Sequence, residues 1–162
     1  MRLRRALEVA VQLSFAVSAL ALLVMVFVLV ADVAMANLLR RPISGTFDVV
    51  ETTLVFLVFL GFPITFLRGG HIAVDIIDHV VSPETVRRLK VLAWVITLAF
   101  LVFFAWQMTY PALDAFRFGE RKQELGLPLW VLWLPMIFGI GLSAATLVAV
   151  LIRGDAAPKD DE

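Results

Sequence analysis

The stretch VAVQLSFAVSALALLVMVFVLVA, Val9 to Ala31, decides the fold. It contains no Asp, Glu, Lys or Arg. As an α-helix it reaches about 35 Å, enough to cross a hydrocarbon core of about 30 Å. Arg2, Arg4 and Arg5 precede it and Ala34-Met35-Ala36 follows it, an order that resembles a secretory signal with its cleavage site. Signal cores are only about 7–15 residues long, so this longer run is expected to remain as a membrane anchor.

Three more runs are nearly as apolar, Val49 to Leu67, Leu89 to Tyr110 and Pro128 to Ile152, with Glu51 and Lys90 their charged residues. Lipid offers the backbone no hydrogen-bond partner, so each is expected to be a helix. The 162 residues are 61% hydrophobic and 17% charged, and the charges gather in the breaks between the runs. The fold class is therefore all-α integral membrane, one domain over residues 1–162 with four transmembrane helices and a disordered tail over about 154–162. Fourteen basic residues balance fourteen acidic ones, which gives no basic patch for nucleic acid. The absence of Cys rules out disulfides, thiolate metal sites and thiol redox chemistry.

Orientation follows from where Lys and Arg lie. Arg2, Arg4, Arg5, Arg68, Arg87, Arg88, Lys90, Arg153 and Lys159 fall on one side, and Arg40, Arg41, Arg117, Arg121 and Lys122 on the other. The larger group marks the cytoplasm, so both termini are expected inside. Trp106 and Tyr110 would then share an outer aromatic belt with Trp130 and Trp133, with Trp94 near the opposite interface.

In the middle loop His71, Asp75, Asp78, His79 and Ser82 recur on one helical face, and Ile72, Val74, Ile76, Ile77, Val80 and Val81 fill the other. This spacing predicts a short amphipathic helix over about 71–82, lying along the membrane surface. Ser82-Pro83-Glu84 then reads as a helix start: an N-cap, a first-turn proline and a first-turn acid. Small residues recur every four positions in the last run, as Gly139 with Ser143 and as Gly141 with Ala145 and Ala149, and more weakly in the first as Ser14 and Ser18. Such rows allow close helix approach.

Chemistry has few footholds. Asp48 and Glu51 share a face near the outer end of the second span, and Asp32 closes the first. They read either as proton or cation sites or as interfacial acids, hydrated or paired with Arg40 or Arg41; none is central, which favours the second reading. His71, Asp75 and His79 have helical spacing open to a metal, but a surface helix explains the spacing and no third strong ligand is near. Both histidines lie at an interface, where haem ligation is not expected, and no nucleophile, base and orienting acid converge. No enzyme activity, metal or cofactor is expected.

Pro42-Ile43-Ser44-Gly45-Thr46-Phe47-Asp48-Val49-Val50-Glu51, then Gly61, then Arg68-Gly69-Gly70-His71-Ile72-Ala73-Val74-Asp75, resembles the small membrane subunit of tripartite ATP-independent periplasmic (TRAP) transporters. Gly119 and Leu125-Gly126-Leu127-Pro128-Leu129-Trp130 are similar to that family's approach to its last helix. Two places depart from the pattern: Asp48 stands where many relatives have Glu, and Lys122-Gln123-Glu124 stands where many have a small Ser/Thr-Pro-Ala run. The resemblance implies a scaffold in a bacterial inner membrane, partnered by a large permease subunit and a periplasmic substrate-binding protein in sodium-driven uptake of an organic anion. It makes Asp48, Glu51, Gly61, Gly70, His71, Asp75, Gly139 and Ser143 candidates for the interface with the large subunit. Arg117, Glu120, Arg121, Lys122 and Glu124 become candidates for docking the binding protein. Rival readings are a free-standing four-helix efflux carrier, which would need an acid in the first span, and a respiratory anchor, which would need intramembrane His; an assembly factor without transport partners is a third.

Overall fold

Apolar runs that cannot leave backbone groups unpaired become helices, and the computed structural model, which describes residues 2–67 and 83–153, has four. They are α1 (Arg2–Leu39), α2 (Thr46–Leu67), α3 (Pro83–Phe118) and α4 (Trp130–Arg153). Each is long and apolar enough to cross a membrane. No strand occurs among the described residues, where an isolated bridge joins Arg121 to Pro128. The predicted surface helix over 71–82 and the tail over 154–162 lie outside the described residues.

Helices stop where the chain supplies a stop, not where the apolar run ends. α1 continues to Leu39 and ends at Arg40, whose φ of 52° is left-handed, just before Arg41-Pro42. α3 starts at Pro83, where the Ser-Pro-Glu signal puts it, and runs through Pro111 to Gly119, with φ 61°. The overrun of α3 corrects the expected aromatic belt. Phe116, and not Tyr110, meets the Trp130 ring, at a centroid distance of 6.4 Å. Tyr110 and Trp106 therefore lie about 9 and 15 Å deeper along the helix than the Trp130 level.

The helices pack in the order α1, α2, α4, α3, with α1 only grazing α4. The outer two bury narrow seams. On α3 these are Trp94, Leu101, Met108 and Ala115, one every seven residues, with Leu98 and Ala105 between them. Met136, Ile140, Ala144, Leu147 and Leu151 of α4 pack in the same cluster. A 3.5-residue repeat of this kind gives a shallow left-handed crossing of about 20°. α1 buries Val11, Ser14, Ser18 and Ala21 at the same spacing. At most 33% of any apolar stretch is buried inside the chain, so most of the surface is left for lipid or partners.

The central α2 is gripped from both sides through its backbone. The Ser14 and Ser18 hydroxyls of α1 donate to the carbonyls of Leu60 and Leu57, at 2.8 and 2.7 Å. On the other side, a β-carbon on Gly139 of α4 would fall 2.0 Å from the Phe59 carbonyl oxygen. That carbonyl is four residues before Pro63, which has no N–H to return to it. The small-residue row through Gly139 and Ser143 therefore meets α2, whereas a β-carbon on Gly141 would meet nothing within 4 Å. Gly139→Ala should lower the unfolding midpoint in detergent, for an overpacking cost of about 1–3 kcal/mol. Gly141→Ala in the same helix should leave it unchanged. Equal midpoints for both variants would show that the α2–α4 contact has slack.

Candidate functional site

Of the charged residues singled out in the sequence, Asp48, Glu51, Lys122 and Glu124 meet at one end of the bundle, where α2 begins and the α3–α4 connection folds over it. That connection is a small hairpin built by backbone bonds. The N–H of Lys122 donates to Leu127 O at 2.8 Å, that of Leu129 to Glu120 O at 2.8 Å, and that of Gly126 to Lys122 O at 3.0 Å. Gly119 and Gly126 take the left-handed φ its reversals require, 61° and 64°. The Arg121 guanidinium donates to Gly126 O at 3.3 Å.

α2 holds this hairpin through its first turn. Asp48, 5% exposed, accepts the N–H of Glu124 at 3.0 Å and of Leu125 at 2.9 Å on the same carboxylate oxygen. In return the Glu124 carboxylate accepts the N–H of Gly45 at 2.7 Å. One turn further along α2, Glu51 forms an ion pair with the Lys122 ammonium, which is 7% exposed. The acid in the first turn also suits the positive end of the helix dipole. Gly45 has φ 88°, and a β-carbon there would lie 2.8 Å from Leu125 Cδ2, so the joint is closed to side chains on two counts. Asp32 secures the neighbouring connection by accepting the Ile43 N–H at 2.6 Å.

The partners of Asp48 and Glu51 are thus in the distant hairpin and not the nearby Arg40 and Arg41. Spacing along the sequence has no means of showing this, because the groups that meet are about 70 residues or more apart. Of the candidate interface residues, Gly61 lies against Ser18, with its β-carbon position 2.8 Å from that hydroxyl. Gly139 abuts Phe59, and buried Ser143 donates to Gly139 O at 2.7 Å. Gly70, His71 and Asp75 lie outside the described residues. Of the docking candidates, Arg117, Glu120 and Arg121 are exposed, whereas Lys122 and Glu124 direct their charged groups to α2 and its lead-in. In the sequence Gly45 stands out only as part of a motif; its left-handed turn and the Leu125 contact give it a separate structural reason.

Chemically, this end of the molecule is a clasp. Its acids accept from backbone amides or pair with Lys122, and among the described residues no group of three or more His, Cys, Asp or Glu could hold a metal. A family model described as tripartite ATP-independent periplasmic transporters, DctQ component, matches residues 25–157. That match takes in the whole clasp and three of the four helices in full. No curated protein and no solved structure gives a match.

Removing the carboxylate tests the clasp directly. Asp48→Ala leaves two amides without their acceptor, a cost of about 1–3 kcal/mol, and hydrogen exchange at Glu124 and Leu125 should accelerate while exchange in the α3–α4 seam stays slow. For the ion pair, Glu51→Lys and Lys122→Glu should each destabilise, and the double exchange should recover part of the loss. Additive losses would mean that the two charges do not act as a pair.

Proposed function

This chain belongs to the DctQ component family of tripartite ATP-independent periplasmic transporters, and we propose from that premise that it is a fixed support for the large permease subunit. In this reading the assembly takes up an organic anion, delivered by a periplasmic binding protein and driven by a sodium gradient. The chain sits in a bacterial inner membrane with both termini in the cytoplasm. Exposed Arg117, Glu120 and Arg121 on the clasped hairpin help to dock the binding protein, where charge complementarity sets encounter rate and specificity. The stretch 71–82 braces the assembly at the cytoplasmic surface.

The observation that carries this reading is the use the chain makes of its buried polar groups. Ser14 and Ser18 donate to α2 carbonyls, Ser143 and Thr146 to carbonyls of their own helix, and Asp48 accepts hairpin amides. No charged side chain among the described residues is buried along the helix seams away from the clasp. An ion-coupled carrier needs polar ligands near the midplane, usually at broken helices. A scaffold needs only that its contacts hold.

Reconstitution decides the matter. The chain alone in vesicles should give no gradient-driven uptake, and adding the large subunit and binding protein should restore it; uptake by the chain unaided would end the scaffold reading. Glu51→Ala should weaken assembly yet leave sodium dependence intact in whatever complex forms. For orientation, the chain's lack of Cys makes single thiols informative: Gln123→Cys should react with an impermeant maleimide added to intact cells, and Arg5→Cys should react only after the membrane is opened. The reverse pattern would invert the proposed topology.

A further inference from the structure

The packed core leaves one side of α3 unused. At about 100° per residue, the side opposite the Trp94–Met108 seam carries Ile96, Phe103, Trp106, Gln107, Tyr110 and Asp114, all exposed. Four of these six have hydrogen-bonding groups. Nothing among the described residues bonds to Gln107, in contrast to Thr97 and Thr109 of the same helix, which donate to their own carbonyls at Ala93 and Ala105.

Depth makes Gln107 significant. Phe116 lies beside Trp130, and α3 and α4 run antiparallel from that point. Gln107 is about 14 Å back along α3 from Phe116, which brings it level with Gly139. α4 is 24 residues long, so a hydrocarbon core of about 30 Å takes in most of it. Gln107 therefore faces outward within the hydrocarbon layer. A carboxamide has two donors and an acceptor oxygen, and lipid chains can satisfy none of them.

We infer that this face of α3 is the seat of a transmembrane helix of the large permease subunit, which presents a hydrogen-bonding side chain to Gln107. The inference rests on the proposed function and adds the surface and the residue through which the support is made. A second copy of this chain fits less well. Two copies inserted in the same direction and paired through Gln107 would bring Asp114, two turns along the same face, against its own like charge. Of the small residues that allow close helix approach, Gly61, Gly139 and Ser143 are occupied within the chain, and Gly141 and Ala145, which remain exposed, lie on α4 and not on this face.

The test uses the co-expressed, co-purified pair of membrane subunits. A photoreactive residue replacing Gln107 should give an adduct with the large subunit, and one replacing Phe27, 74% exposed on α1, should not. Gln107→Leu should reduce co-elution of the large subunit about three- to tenfold, the scale expected of one hydrogen bond between membrane helices, and Phe27→Leu should have no effect. An intact complex without a Gln107 adduct, an adduct between two copies of this chain, or unchanged co-elution of Gln107→Leu would each overturn the inference while leaving the proposed function standing. Failure of the unaltered chain to co-elute with the large subunit would overturn both.

Discussion

A carbonyl inside a bilayer has only protein to bond to, and one turn of α2 shows how far that constraint reaches. Pro63 withholds the N–H that would return to the Phe59 carbonyl, and that oxygen lies against Gly139 of α4, which has no side chain to collide with it. A β-carbon there would fall 2.0 Å from that oxygen, so the approach is open only to a glycine and fixes which residue of α4 stands there. On the opposite side Leu57 and Leu60 use their second lone pairs for Ser18 and Ser14. The positions of both neighbouring helices thus refer to a single short segment of the central one.

The clasp answers the same constraint at the end of the bundle. α1 with α2, and α3 with α4, are helical hairpins that meet mainly through α2 and α4, where the approach of Gly139 to Phe59 is steric and not directional. Asp48, Glu51 and Gly45 supply the direction that oil cannot, because carboxylate-to-amide bonds have defined geometry and are stronger than neutral ones. The exchange is reciprocal: α2 gives an acceptor to the hairpin amides and its lead-in receives one from Glu124. Lys122 can be nearly buried because Glu51 remains partly in solvent and offsets its charge without both partners being fully desolvated.

Four helices were legible in the sequence because hydrophobicity sustained over a bilayer's thickness has few other outcomes. So was the start of α3, since Ser-Pro-Glu is a local signal. Helix ends were less so: α3 overran the expected span because Asp114 and Arg117 interrupt the apolar run without interrupting the helix, and the aromatic belt shifted with them. The small-residue rows were visible as rows, but periodicity does not say whether a row meets its own chain or another. The acids were visible as a pair, and their partners were not, because the Asp48 to Glu124 bond links segments joined only through two helices. Asp48 and the Lys122-Gln123-Glu124 run, the two places read from the sequence as departures from the pattern that the resemblance implies, touch each other in the fold. Along the sequence the two departures look independent.

Gln107 escapes a reading of the sequence for a reason that separates inward from outward polarity. Ser14, Ser18, Ser143 and Thr146 each complete a bond within the chain, so their hydroxyls are accounted for before any partner arrives. A carrier that alternates between two states needs interfaces with two arrangements of similar energy. Here the α2–α4 contact leaves no room for a methyl group, and the clasp ties the same helix to the hairpin beyond it. Such an interior favours one arrangement. Gln107 lies on the outer side of α3, an edge helix that among the described residues packs on α4 and, through Trp94, on Phe66 of α2, so a neighbour can be received there without disturbing those contacts.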